Sequence, residues 1–110
     1  IHNNAAGDGS SWHMASGWSV FVAPNASAAS RRLASSLTAE AQRLGLGGNR
    51  CTPPHGYWTA NLAICRDTVC PAVLTENLFQ DNRDDVCRLA SAEDFETIAA
   101  LHADVICRCL

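Results

Sequence analysis

Two short segments of this sequence hold side chains suited to hydrolytic chemistry. The first is Ile1-His2-Asn3-Asn4-Ala5-Ala6-Gly7, a histidine at an expected strand end followed by amide and small residues. The second runs from Pro71 to Asn82, PAVLTENLFQDN, where an apolar strand delivers the carboxylate of Glu76 to its C-terminal end. Ligands of open α/β sheets bind beyond the carboxyl ends of strands. A glutamate there is placed to act as general base on a metal-bound water. On position alone a glutamate after a strand is more often an ordinary solvated loop residue.

The other reactive side chains are less suggestive. His13, between Trp12 and Met14, and His55, after two prolines, read as solvated loop histidines. His102 shares a helix face with Ile98 and Ile106 and reads as a core-edge residue. Trp12, Trp18 and Trp58 could stack on sugar rings, but Trp18 falls in a strand and belongs to the core. Trp58, beside Tyr57 in a Gly/Pro-rich stretch, is the better substrate contact. The six cysteines contain no CxxC pair. Cys65 and Cys70 lie in apolar, strand-like runs, and Cys107 and Cys109 point to different faces of a helix, so buried reduced thiols are expected.

The elements that position these residues alternate between strand and helix. Trp18 to Ala23 reads as a strand covered on both faces. Leu33, Leu37, Ala41 and Leu44 recur at helical spacing after Ser27, a suitable N-cap, and Gly45 suits the residue past the helix end. Gly45 to Thr59 reads as a loop, and Asn61 to Arg66 as a short strand. Ala72 to Thr75 is a further strand, ending at Glu76. Asp85 to Ala90 suits a short helical turn; Ser91 with Asp94 opens a final helix whose apolar face is Phe95, Ile98, Leu101, Val105 and Ile106. The expected class is α/β: about three strands with two or three helices, a partial three-layer sandwich belonging to a larger domain.

Composition narrows the functional classes. The net charge is −3 and every basic residue is arginine, with Arg31-Arg32 the only adjacent pair, so a nucleic-acid partner is excluded. The longest uncharged stretch, Gly9 to Ser30, is broken by Ser, Gly, Asn and Pro24 and is no membrane span. No signal peptide is visible ahead of Ile1.

IHNNAAG is similar to the S-I-H-x-N-A segment of the zinc-dependent N-acetylmuramoyl-L-alanine amidases, and PAVLTENLFQDNRDDV resembles their P-x-V-L-x-E-x-x-F-x-x-N-x-x-D stretch. GWSVFVAP, the Ser/Ala-rich helix, the loop containing Arg50, the LAICRDT segment and the closing helix follow in the family's order. The resemblance implies that residues 1–110 form the C-terminal part of an amidase domain, with His2 as a zinc ligand and Glu76 as the residue activating the attacking water. It implies a structural or substrate-contacting role for Asn4 and structural roles for Phe79 and Asn82. The implied substrate is peptidoglycan, cleaved between N-acetylmuramic acid and L-alanine of the stem peptide, at the cell envelope or after secretion. Of the family's three zinc ligands only His2 is matched. The expectation is therefore a fragment or truncated product, completed by a missing N-terminal half or by self-association, with a catalytically inactive cell-wall-binding remnant as the alternative.

Overall fold

The computed structural model describes residues 1–109. Four strands, β1 (His2–Asn4), β2 (Trp18–Val22), β3 (Trp58–Thr59) and β4 (Leu74–Phe79), form one sheet in the order β1-β4-β2-β3. β1 runs parallel to β4, β4 antiparallel to β2, and β2 parallel to β3. Four helices complete the fold: α1 (Ala28–Arg43), α2 (Ala63–Arg66), α3 (Arg83–Leu89) and α4 (Ala92–Cys109). The α/β sandwich expected from the sequence is present, with one more strand and one more helix than the reading allowed.

α1 begins where the sequence places it. The Ser27 hydroxyl accepts from the Ser30 amide, and Gly45 takes φ 70° just past the helix end. That left-handed conformation is open to glycine at no steric cost. α1 and α4 pack together over one face of the sheet. Trp18, Val20, Val22 and Leu78 from the strands meet Ala34, Leu37, Ala41, Leu101 and Val105 from these helices in the main core. A smaller cluster, Ala23, Cys65 and Leu74 with Phe21, Leu62 and Ala72 packed against it, covers part of the opposite face under α2. The second helical layer is thus one short turn, which leaves much of that face of the sheet to loops.

Several expectations need correction. Ala63–Arg66 is helical, not a strand, and Trp58–Thr59, read as loop, pairs with Phe21 and Val22. A short apolar run fits either conformation, and here pairing to β2 selected the segment around Trp58 instead. Glu76 lies inside β4, not at its end. Of the cysteines only Cys65 is buried; Cys51, Cys70, Cys87, Cys107 and Cys109 are exposed free thiols. On α4, Leu101 and Val105 are core, whereas Phe95 and Ile106 are exposed at 65% and 39%. Ile106 follows Val105 by one residue, about 100° round the helix, and so points away from the face that packs.

Candidate functional site

The pairing of the strands brings three reactive side chains into one row. His2 on β1 stands opposite Glu76 on β4, and Glu76 stands opposite Ser19 on β2. Paired residues of adjacent strands share a face. Their row faces away from α1 and α4, because the alternating residues Trp18 and Val20 point into the main core. Thr75 and Asn77, flanking Glu76, point to that core side and are hydrogen-bonded there: Trp18 Nε1 donates to Asn77 Oδ1 at 2.8 Å, and Thr75 Oγ1 lies 2.9 Å from His102 Nε2.

A β-bulge extends the reactive face. The register between β1 and β4 shifts so that His2 pairs with Glu76 but Asn4 with Phe79. The extra residue is Leu78, the one non-glycine residue with positive φ (65°) among the described residues. Leu78 turns into the main core, fully buried, and Phe79 returns to the face of Glu76. The buried Asp85 carboxylate fastens this geometry: its Oδ2 accepts from the Phe79 and Gly17 amides, both at 2.8 Å.

Electrostatically, Glu76 is set apart from the other carboxylates. Its Oε2 is buried without a hydrogen-bond partner, and burial pushes its carboxyl above the usual glutamate range, with His2 pulling weakly the other way. Ser19 Oγ and Arg50 Nε are the other buried polar atoms without partners among the described residues. The Arg50 guanidinium stands 5.1 Å from the Trp58 ring centroid and 5.4 Å from that of Phe79. It therefore bridges β3 and β4 over the stretch of β2 that holds Ser19.

Beyond the strand ends, the loop after β1 is tied to Asp81. The Asp81 carboxylate accepts from the Ala6 amide (2.8 Å to Oδ2) and the Gly7 amide (2.8 Å), and those bonds outweigh its burial and hold it below the usual aspartate range. The His13 amide donates to the Asp81 carbonyl at 2.8 Å, and Asn82 Nδ2 donates to the His13 carbonyl at 3.0 Å. His13 thus anchors a loop through its backbone. Asn82 also caps α3, accepting from the Asp84 and Asp85 amides at 3.1 Å.

The four residues singled out from sequence fall unequally. His2 and Glu76 are adjacent. Asn4 lies on the same face, but its Oδ1 accepts from the Ala5 amide at 2.9 Å, a bond within its own segment. Trp58 is half-buried in β3, tilted against Phe21 at 5.9 Å and under Arg50, so it is a wall of the face and not a loop residue. His55 packs on Tyr57 at 4.4 Å, and His102 is buried in the core behind the sheet. Ser19 and Asp81 were not singled out, and Arg50 and Asp85 entered only as members of the resembling segments, with no role assigned. Ser19 left a trace as the lone polar residue within WSVFV; each of the other three has at least one partner far away in sequence.

A catalytic zinc takes three protein donors and an open position. Among the described residues no three His, Cys, Asp or Glu side chains converge. His2 offers one nitrogen, so the donor set in this chain does not fit a complete zinc centre.

Comparison with known proteins bears on this arrangement. An N-acetylmuramoyl-L-alanine amidase CwlM of Bacillus licheniformis is 43% identical over 53 residues, 48% of this chain and 21% of that protein. An endolysin of Bacillus phage SPP1 is 42% identical over 55 residues, 50% of this chain and 20% of that protein. Among solved structures, an N-acetylmuramoyl-L-alanine amidase from Clostridium difficile 630 superposes with a TM-score of 0.78 at 16% identity, over 96% of this chain and 53% of that one. The catalytic domain of CwlV from Bacillus (Paenibacillus) polymyxa does so with a TM-score of 0.72 at 23% identity, over 94% and 51%. The structures share the fold, and this chain spans about half of each and about a fifth of the sequence relatives. The model of the N-acetylmuramoyl-L-alanine amidase family matches residues 1–108, and the chain belongs to that family.

Proposed function

We propose that this chain carries the Glu76 side of the catalytic centre of a zinc-dependent amidase that hydrolyses peptidoglycan between N-acetylmuramic acid and L-alanine, at the cell wall. The observation that carries the reading is the pairing of His2 with a half-buried Glu76 whose Oε2 is buried without a partner, on the open face of the sheet. A carboxylate whose pKa is raised by burial is better matched to accept a proton near neutral pH than a solvated one. In this role Glu76 takes a proton from the water attacking the amide carbonyl. The carbon–nitrogen bond then breaks, and the same proton passes to the departing amine of L-alanine, leaving the lactyl carboxylic acid, which gives its own proton to the amine or to solvent. Because the donor set here is incomplete, His2 supplies one ligand and the remaining donors come from outside residues 1–109. We place the complementary part of the domain along the free edge of β1, where further strands can add.

The test is Glu76→Gln in the full-length protein, assayed on soluble muropeptides. Removing a general base costs roughly 10²–10⁴-fold in rate. The variant should stay folded and keep its zinc, and hydrolysis surviving above a tenth of wild type would sink the assignment. In the wild type, activity should fall as pH drops through the raised pKa of Glu76, since only the carboxylate accepts the proton. A second reading, an inactive cell-wall-binding remnant, is favoured by the missing donors. It requires the wild type to sediment with peptidoglycan sacculi and release no peptide.

A further inference from the structure

We infer that Arg50 is a specificity residue of this site and takes a carboxylate of the substrate peptide; the inference rests on the amidase reading above. Arg50 lies in a loop of glycines pressed onto the residues that precede β2. A Cβ on Gly48 would fall 2.5 Å from Ser16 backbone atoms, and one on Gly17 would fall 2.1 Å from the Gly47 carbonyl oxygen. Gly17 and Gly48 also adopt φ 104° and 56°. Only glycine fits two backbones this close in such conformations. Asn49 locks the contact: its Oδ1 accepts from the Ser16 amide at 2.9 Å, and its Nδ2 donates to the Met14 carbonyl at 2.7 Å. The backbone of Arg50 is thereby fixed relative to β2, and its guanidinium is held between the faces of Trp58 and Phe79.

That placement leaves the charge uncompensated. Arg43, Arg66, Arg88 and Arg108 each meet a carboxylate. Among the described residues Arg50 meets none, and its buried Nε has no partner. Two aromatic faces attract the cation but accept none of its N–H groups as a carboxylate would. Arg50 remains half-exposed on the face of Glu76, yet forms neither ion pair nor hydrogen bond with it. A planar fork of donors, held between two rings on the same face as the base without touching it, suits an anion a short distance along the substrate from the scissile amide. The chemistry is a peptide carboxylate gripped by parallel N–H donors.

The experiment compares the full-length wild type with Arg50→Gln and Arg50→Lys on two substrates. One is a muramoyl dipeptide with a free carboxylate on its second residue; the other is the same compound with that carboxylate amidated. Losing hydrogen bonds to a charged group corresponds to roughly a tenfold to hundredfold effect. Arg50→Gln should lose that much kcat/KM on the acid substrate, mainly through KM, and less than about threefold on the amide, a small fraction of that effect. Arg50→Lys, which keeps the charge but not the fork, should fall between. Equal losses on both substrates would show a merely structural clamp and overturn the inference, as would no loss on either. Wild type that cleaves neither substrate would overturn the amidase reading and this inference with it; wild type that cleaves both isolates the role of Arg50.

Discussion

Asp85 offers the most direct test of how the reactive face is built. Its Oδ2 is the shared acceptor for the Gly17 and Phe79 amides, which lie at the start of β2 and at the bulge of β4. Asp85→Ala leaves two buried N–H groups with no acceptor. Each such group costs about 1–3 kcal/mol, so the substitution should destabilise the fold by about 2–6 kcal/mol. α3 itself should survive, because Asn82 caps it independently. For a chain of 110 residues each kcal/mol shifts Tm by roughly 4 °C. The melting temperature of Asp85→Ala, followed by circular dichroism, should therefore fall by about 8 °C or more at this conversion. Asp85→Asn keeps one oxygen that can accept both bonds but loses the charge, so it should fall between wild type and Asp85→Ala. The reasoning fails if Asp85→Ala melts within about 2 °C of wild type, well under the expected shift. It fails equally if Asn and Ala are indistinguishable, since the acceptor then does not matter.

Two further outcomes test the geometry and the core behind the site. Leu78 is fully buried at φ 65°, so both Leu78→Ala and Leu78→Gly lose its side-chain contacts, at a cost of about 2–5 kcal/mol. Glycine, however, adopts this backbone freely, whereas alanine pays about 1–2 kcal/mol for it. Urea denaturation should find Leu78→Gly no less stable than Leu78→Ala, the reverse of the ordinary order in a strand. His102 is buried with Nδ1 2.7 Å from the Ile98 carbonyl and Nε2 2.9 Å from Thr75 Oγ1, and burial holds its pKa below the ordinary histidine value. The neutral ring fits this network, with Nδ1–H donating to the carbonyl and Nε2 accepting. A folded pKa below the unfolded one gives stability that is present above about pH 6.5 and lost as pH falls towards the folded pKa. Wild type should lose more Tm between pH 7.5 and 5 than His102→Gln; parallel losses would refute the role of the ring.

What the sequence revealed and what it hid divide along physical lines. α1 was legible because its cap, its apolar stripe and its terminal glycine are all local signals. His2 and Glu76 stood out because each belongs to a short run of recognisable residue types, and pairing of β1 with β4 brings those runs side by side. The run of β4 beyond Glu76 was not legible, since a bulge breaks the two-residue alternation by which strands are recognised. Trp58 read as a loop aromatic because its strand is two residues long and exists only through pairing with Phe21 and Val22. Arg50 was legible only as a member of a loop in the family's order, with nothing to mark its role. Its role depends on rings 8 and 29 positions further along the chain, brought together by the sheet.

The two faces of the sheet differ in how they treat polar groups, and that difference argues for where chemistry happens. Behind the sheet, Thr75, Asn77, Trp18 and His102 form a closed set of bonds in which each buried donor finds an acceptor. On the front, Ser19 Oγ, Glu76 Oε2 and Arg50 Nε are buried without partners. Each costs about 1–3 kcal/mol, which together is a large fraction of the roughly 5–15 kcal/mol by which a domain is stable. A sequence able to satisfy the back of its sheet has no folding reason to leave the front unsatisfied. Retaining a hydroxyl, a carboxylate and a guanidinium on one face makes physical sense when they meet another molecule. The acid and the cation form no ion pair with each other, and on the proposed reading that molecule offers a proton to one and a negative charge to the other. A peptide with a hydrolysable amide and a nearby carboxylate does both.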